Sequence, residues 1–264
     1  MHRSTLLALS LFSASLSAAA VPTVYFGEDL GAASASALPN SYAARAQFLS
    51  QLVETGTQNF DGLTGGTDFF VTPTQLQFGG TGITGAVGGG LVRSEPFNAR
   101  FPISGTNYWD SAFNQRITFS APVQAFGLFV IDANESDNDP ALVRINGLPL
   151  SQAQILARPF GSVDGVFRIV TERSPGNFEV LFTGGSFPAP DSSGMFVGLI
   201  DAAQPYTNII LINGTSGLDV QFQDGFGYDD LTIGQVTPIP EPSIWALMAL
   251  GLLTLGRAVR RSVA

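Results

Sequence analysis

From residue 60 onward the chain keeps interrupting its own apolar runs. Short β-like stretches at 76–78, 83–87, 114–119, 123–131, 142–145, 166–171, 178–182, 195–200, 208–212 and 227–233 are separated by clusters of Gly, Pro, Asn and Asp. That punctuation leaves no room for a long helix, and several of the runs alternate with period two. Ile117 and Phe119 fall on one face with Thr118 on the other; Phe178, Val180 and Phe182 likewise share a face. About ten short strands at this spacing predict an all-β, two-sheet β-sandwich of jelly-roll-like type over residues 60–235. Composition agrees: charged residues are 12%, about half the usual share, while Gly (30) and Phe (21) are abundant. The main irregular insertion is 149–160, and no repeat recurs at a fixed period.

Ahead of the sandwich, residues 21–59 read as an N-terminal segment. A β-like stretch at 21–26 leads into an expected turn at 27–31, which contains Glu28 and Asp29, and then into an Ala/Ser stretch. Residues 40–55 are expected to form one amphipathic helix. Pro39-Asn40-Ser41 supplies a start, Gly56 a stop, and Tyr42, Ala46, Leu49 and Leu52/Val53 recur at helical spacing.

Both ends look like targeting segments. Residues 1–20 have the order of a secretory signal helix: Arg3 with His2, an apolar run over 6–16, then Ala18-Ala19-Ala20 as a signal-peptidase site. Residues 236–264 are stranger. Pro238-Ile239-Pro240-Glu241-Pro242-Ser243 is a Pro-rich strip, residues 244–256 are almost wholly apolar, and Arg257, Arg260 and Arg261 follow. The apolar run of 13 residues is shorter than the ~20 that cross a bilayer comfortably. With snorkelling arginines it reads as a single transmembrane helix across a thin membrane, carrying Ile244, Trp245, Leu247, Leu250, Leu252, Leu253 and Leu255, with the Arg cluster as a cytoplasmic anchor.

The order Pro240-Glu241-Pro242, then Ser243-Ile244-Trp245-Ala246-Leu247-Met248, then a Leu/Gly-rich helix and terminal arginines, resembles the PEP-CTERM sorting signal of Gram-negative bacteria. Ile244 departs mildly from it, since the family usually has a polar or small residue there. The resemblance implies export, transient anchoring in the inner membrane, and processing near Pro240-Glu241-Pro242 by an exosortase. It also implies a link to exopolysaccharide and biofilm matrix. A second, looser resemblance covers about residues 60–234. Residues 99–109, 117–127 and 224–234 in that order are similar to a recurrent PEP-CTERM ectodomain and to carbohydrate-binding jelly rolls.

The polar inventory narrows the chemistry. There is no Cys, all 12 Lys+Arg are Arg, and the single His is His2. Past the signal, the chain therefore lacks the side chains of Ser-His-Asp and Cys-His catalysis, of Schiff bases, and of His/Cys zinc sites. The segment 21–240 carries 20 acidic residues against 8 Arg, a balance that argues against nucleic acid as a partner. It leaves oxygen-ligand cations open, so a structural calcium is a candidate cofactor. Asp132, Asn134, Asp137 and Asp139 form the densest oxygen cluster, and Asp229 and Asp230 a second; each reads equally as a solvated loop or as a hydrogen-bonding or Arg-pairing group. Arg100, Tyr108 and Trp109 read either as a glycan-stacking patch or as core.

Together these features predict an exported, non-catalytic cell-surface or matrix protein. The alternative is a calcium-dependent, lectin-like carbohydrate-binding module.

Overall fold

In a computed structural model the described residues are 22–71, 74–111, 114–132, 167–172, 178–182, 193–213 and 225–237. The expected signal helix, the expected transmembrane helix and the run at 142–145 lie outside them.

The described chain is a sandwich of two antiparallel sheets. The elements are β1 (Thr23–Asp29), a 3-10 turn (Ala35–Ala37), α1 (Pro39–Leu49), β2 (Leu52–Gln58), β3 (Gln75–Phe78), β4 (Ile83–Val87), β5 (Leu91–Arg93), β6 (Tyr108–Ser111), β7 (Gln115–Val123), β8 (Ala125–Ile131), β9 (Phe167–Glu172), β10 (Phe178–Phe182), β11 (Gly194–Ile200), β12 (Tyr206–Asn213) and β13 (Phe226–Val236). The larger sheet runs β1-β11-β8-β13-β6-β5, with β2 also paired to β13; the smaller runs β10-β9-β12-β7-β4-β3. Consecutive strands cross between the sheets at β2–β3, β4–β5, β6–β7, β7–β8, β8–β9, β10–β11, β11–β12 and β12–β13. This is the expected all-β sandwich.

Burial explains the two kinds of strand pattern. β7 alternates, with Ile117 and Phe119 inward and Thr118 exposed, because the smaller sheet has one wet face there. Every residue of β8 and β11 is buried, because the larger sheet is covered on both faces. Its inner face joins the main core around Trp109, Phe126, Leu128, Tyr206 and Tyr228. Its outer face packs under α1 and the loop carrying Phe101 and Ile103, in a second cluster with Phe48, Phe129 and Phe196.

The helix is shorter than expected. It stops at Leu49, where the Ser50 hydroxyl donates to the Gln47 carbonyl at 2.7 Å. Residues 52–58 are then strand. The apolar spacing Leu49, Leu52, Val53 imitates another turn, but Val53, Thr55 and Thr57 are β-branched and favour the pleated sheet edge on β13. The buried face is Ser41, Ala44 and Phe48, and Tyr42 is 37% exposed, its ring edge-on to Phe129 at 5.3 Å. The expected turn at 27–31 is likewise mostly strand, because β1 stays paired with β11 as far as Asp29.

What lets α1 lie so close is a glycine notch. Gly127 and Gly198 are register partners on β8 and β11. A Cβ on Gly198 would come within 2.6 Å of the Phe48 ring, and one on Gly127 within 3.0 Å. The ring is wedged there against Phe196 (5.6 Å between centroids) and Tyr25 (5.8 Å), so it has nowhere to retreat. Substitution G198A is expected to cost about 1–3 kcal/mol by overpacking, measured by denaturant unfolding. In an F48A background the same change should cost far less, because the clash has gone.

Candidate functional site

The residues singled out from the sequence are placed by the fold in three ways. Trp109 and Tyr108 are fully buried and Arg100 is 5% exposed. Trp109 packs against Tyr228 (5.2 Å), Phe69 (6.0 Å) and Phe60 (6.1 Å), and its indole N–H donates to the Gly89 carbonyl at 2.9 Å. A side chain enclosed in this way presents no face to a sugar ring. The glycan-stacking assignment of Arg100, Tyr108 and Trp109 is therefore corrected to core.

Arg100 instead anchors a charged chain at one end of the larger sheet. Its Nε lies 3.1 Å from Asp110 Oδ1 and its Nη1 3.1 Å from Asp132 Oδ2. Nη1 also donates to the Gly225 carbonyl, at the start of β13. Asp110 is shared with Arg93, whose guanidinium sits 3.7 Å from the Phe97 ring centre. Two arginines and two aspartates thus neutralise one another where β5, β6, β8 and β13 end. Burial pushes the neighbouring Tyr108 phenol up to about 12, reinforced by the Asp110 charge.

Asp132 is consequently held by a guanidinium, and Asn134, Asp137 and Asp139 lie outside the described residues. Asp229 and Asp230 meet a similar fate. Asp229 Oδ2 accepts from the Ile103 and Ser104 N–H groups (2.7 and 3.1 Å), and its Oδ1 from the Asp230 N–H (2.7 Å). Asp230 Oδ1 accepts from the Ser104 hydroxyl (2.6 Å), and its Oδ2 pairs with Arg45 at 3.1 Å. All four oxygens are engaged by protein donors. Among the described residues no group of three or more His, Cys, Asp or Glu is arranged to hold a metal.

Two further carboxylates hold the chain: Asp29, expected in a turn, and Asp61, which the sequence did not single out. Asp29 caps α1 from β1: its Oδ1 and Oδ2 accept from the Asn40 and Ser41 N–H groups at 3.1 and 2.9 Å. The Leu38 N-cap has no capping oxygen of its own. Asp61 Oδ1 accepts from the Thr106 and Asn107 N–H groups at 2.8 and 2.9 Å. It fixes a turn in which Gly105 has φ +63 and leaves no space for a Cβ beside the Asp61 carboxylate.

The opposite end of the larger sheet carries an open cleft of about 450 Å³. Thr23, Tyr25, Ser50, Gln51, Asp201 and Thr237 line part of it. β13 ends at Val236, and the Pro-rich strip begins directly after Thr237.

Residues 238–261 match the PEP-CTERM protein-sorting motif. The chain carries a PEP-CTERM sorting motif. The matched stretch contains Pro240-Glu241-Pro242, the apolar run and Arg257, Arg260 and Arg261. The motif implies export and membrane-anchored processing by an exosortase in a Gram-negative bacterium. No curated protein matches the chain. Among solved structures, the Stig cyclase Fisc from Fischerella sp. TAU aligns at 18% identity over 70% of this chain and 86% of that one, with a TM-score of 0.25. So slight a likeness carries nothing to the PEP-CTERM chain.

Two outcomes follow from the charges. R100M strands Asp132 and half of Asp110 in a buried setting, and is expected to lower unfolding stability by about 3–5 kcal/mol, read by denaturant titration. Asp229 is pushed well above the usual carboxylate range by burial and then by the Asp230 charge, against the pull of its three backbone donors. A carboxyl raised in the fold contributes most below the unfolded value of about 4, and the contribution is lost as pH rises through the native value. The stability advantage of wild type over D229N should therefore shrink steadily from about pH 4 upward in parallel unfolding curves.

Proposed function

We propose that this PEP-CTERM protein is a non-catalytic structural component of the cell surface or the extracellular matrix, released or transferred there after exosortase processing. The observation that carries the reading is the sorting motif at 238–261, placed directly behind the last strand of the domain. Three features support it. The chain past residue 20 offers no His, Cys or Lys for nucleophilic or metal chemistry. Among the described residues, Arg100, Asp132, Asp229 and Asp230 are engaged in holding loops to the sheet. The larger sheet is covered on both faces, which suits it to carrying load at a surface. Association with exopolysaccharide is part of this proposal, as is removal of residues 1–20 by signal peptidase.

Mass spectrometry of the protein recovered from its host tests it. The expected species begins near Val21 and ends close to Pro240-Glu241-Pro242, and is found in the surface or matrix fraction. Deleting 238–264 should divert the domain to another fraction and abolish the C-terminal trimming. Recovery of an unprocessed chain in the cytosol alone would end the proposal.

A further inference from the structure

Among the described residues, the buried charges are engaged within the fold. What remains unexplained is the cleft end of the larger sheet, and the register of the strands makes it informative. Thr23 pairs with Ile200, Ile200 with Ala125, and Ala125 with Gly234, while Leu52 pairs with Val236. The first strand, the α1–β2 junction, the β11–β12 loop and the last strand therefore converge on one end. The other end of the same rows is Asp29, Gly194, Ile131 and Gly227.

We infer that the Thr23–Ile200–Val236 end of the sandwich lies against the phospholipid headgroups while the sorting tag is in the membrane. The inference rests on the membrane-held stage of the PEP-CTERM reading and adds an orientation and a contact surface to it.

Length is the first argument. Six residues, 238–243, separate Thr237 from the start of the apolar run at Ile244. Fully extended they reach about 20 Å. β13 has 11 residues, about 36 Å of strand. A tether shorter than the domain it holds keeps the near end close to the lipid surface and the far end well away from it.

Charge is the second argument. The segment 21–240 carries 20 acidic residues against 8 Arg and would be repelled by an anionic leaflet. The cleft lining contains no basic residue, and its one acid is Asp201. Asp201 is 2% exposed, and its Oδ1 accepts from the Ala203 and Gln204 N–H groups at 3.0 and 2.9 Å. The cleft lining thus has no exposed charge, with Ser50, Gln51 and Tyr25 beside Ile200 and Val236, and the nearest exposed acid is Glu54 in the adjoining row of β2. The Arg93–Asp110–Arg100–Asp132 chain and Glu28-Asp29 sit at the opposite end.

The cysteine-free chain makes the test direct. The membrane-held form is purified from exporting cells that lack an exosortase, as single-cysteine variants Q51C and A203C at the near end and S36C at the far end. All three positions are exposed. Each is labelled with a donor dye and reconstituted into phosphatidylethanolamine/phosphatidylglycerol vesicles carrying an acceptor on the headgroup. Energy transfer from Q51C and A203C should exceed that from S36C several-fold. A 12-residue Gly/Ser insertion after Thr237 should reduce the contrast. Equal or reversed transfer in vesicle-bound protein overturns the inference and leaves the sorting reading standing. A contrast that arises only when exosortase is co-reconstituted also overturns it, in favour of docking on the enzyme. Failure of the chain to partition into vesicles at all overturns the tether and the reading beneath it.

Discussion

The larger sheet depends on how β13 deals with a change of neighbour. Along one edge it pairs with β8. Along the other it pairs first with β6, through Phe226–Tyr228, and then with β2, through Leu231–Val236. Between the two it has no strand beside it, and the ladder to β8 slips at the same point. A buried stretch of unpaired backbone is costly. Side chains resolve it: Asp229 Oδ1 accepts the Asp230 N–H and the Thr232 hydroxyl donates to the Asp230 carbonyl, while Asp229 Oδ2 takes the Ile103 and Ser104 N–H groups of the loop that covers this point. Asp230 has φ +49 where the ladder slips, a left-handed conformation that Asp tolerates better than most residues.

The same logic explains where the other charges went. In a chain with few of them, nearly every described aspartate that is buried serves backbone or guanidinium. Asp29 starts the helix, Asp110 and Asp132 flank Arg100, and Asp201 closes the β11–β12 loop; the exposed Asp61 holds the Gly105 turn in the same way. Buried ionic groups of this kind add little net stability when satisfied and cost several kcal/mol when half removed (about 3–5). They fix which loop sits where.

The class of fold was legible because its signal is local. Alternation in β7 and the unbroken apolar run of β8 (Ala125–Ile131) can be read residue by residue, and both behave as read. β2, β5 and β6 were not legible. β2 is masked by helical spacing carried over from Leu49. β5 and β6 are only three and four residues long, too short to show a period. The placement of Arg100, Trp109 and the Asp229–Asp230 pair depends on contacts up to 126 residues apart in sequence. No spacing rule reports those, and exposed and enclosed aromatics look alike in a string of letters. The sorting tag is the reverse case: it acts as a linear segment, so its chemistry is complete in the sequence.

The continuity of β13 into the tag has a mechanical side. Any pull on the anchored C-terminus enters the domain along the axis of its most connected strand. There the antiparallel ladders to β8 and β2 lie on opposite flanks and are loaded in shear, many bonds at once, instead of being peeled one at a time. A strand at the sheet margin in the same place would unzip under drag. Seated in the middle, it turns the attachment point into the toughest line in the molecule.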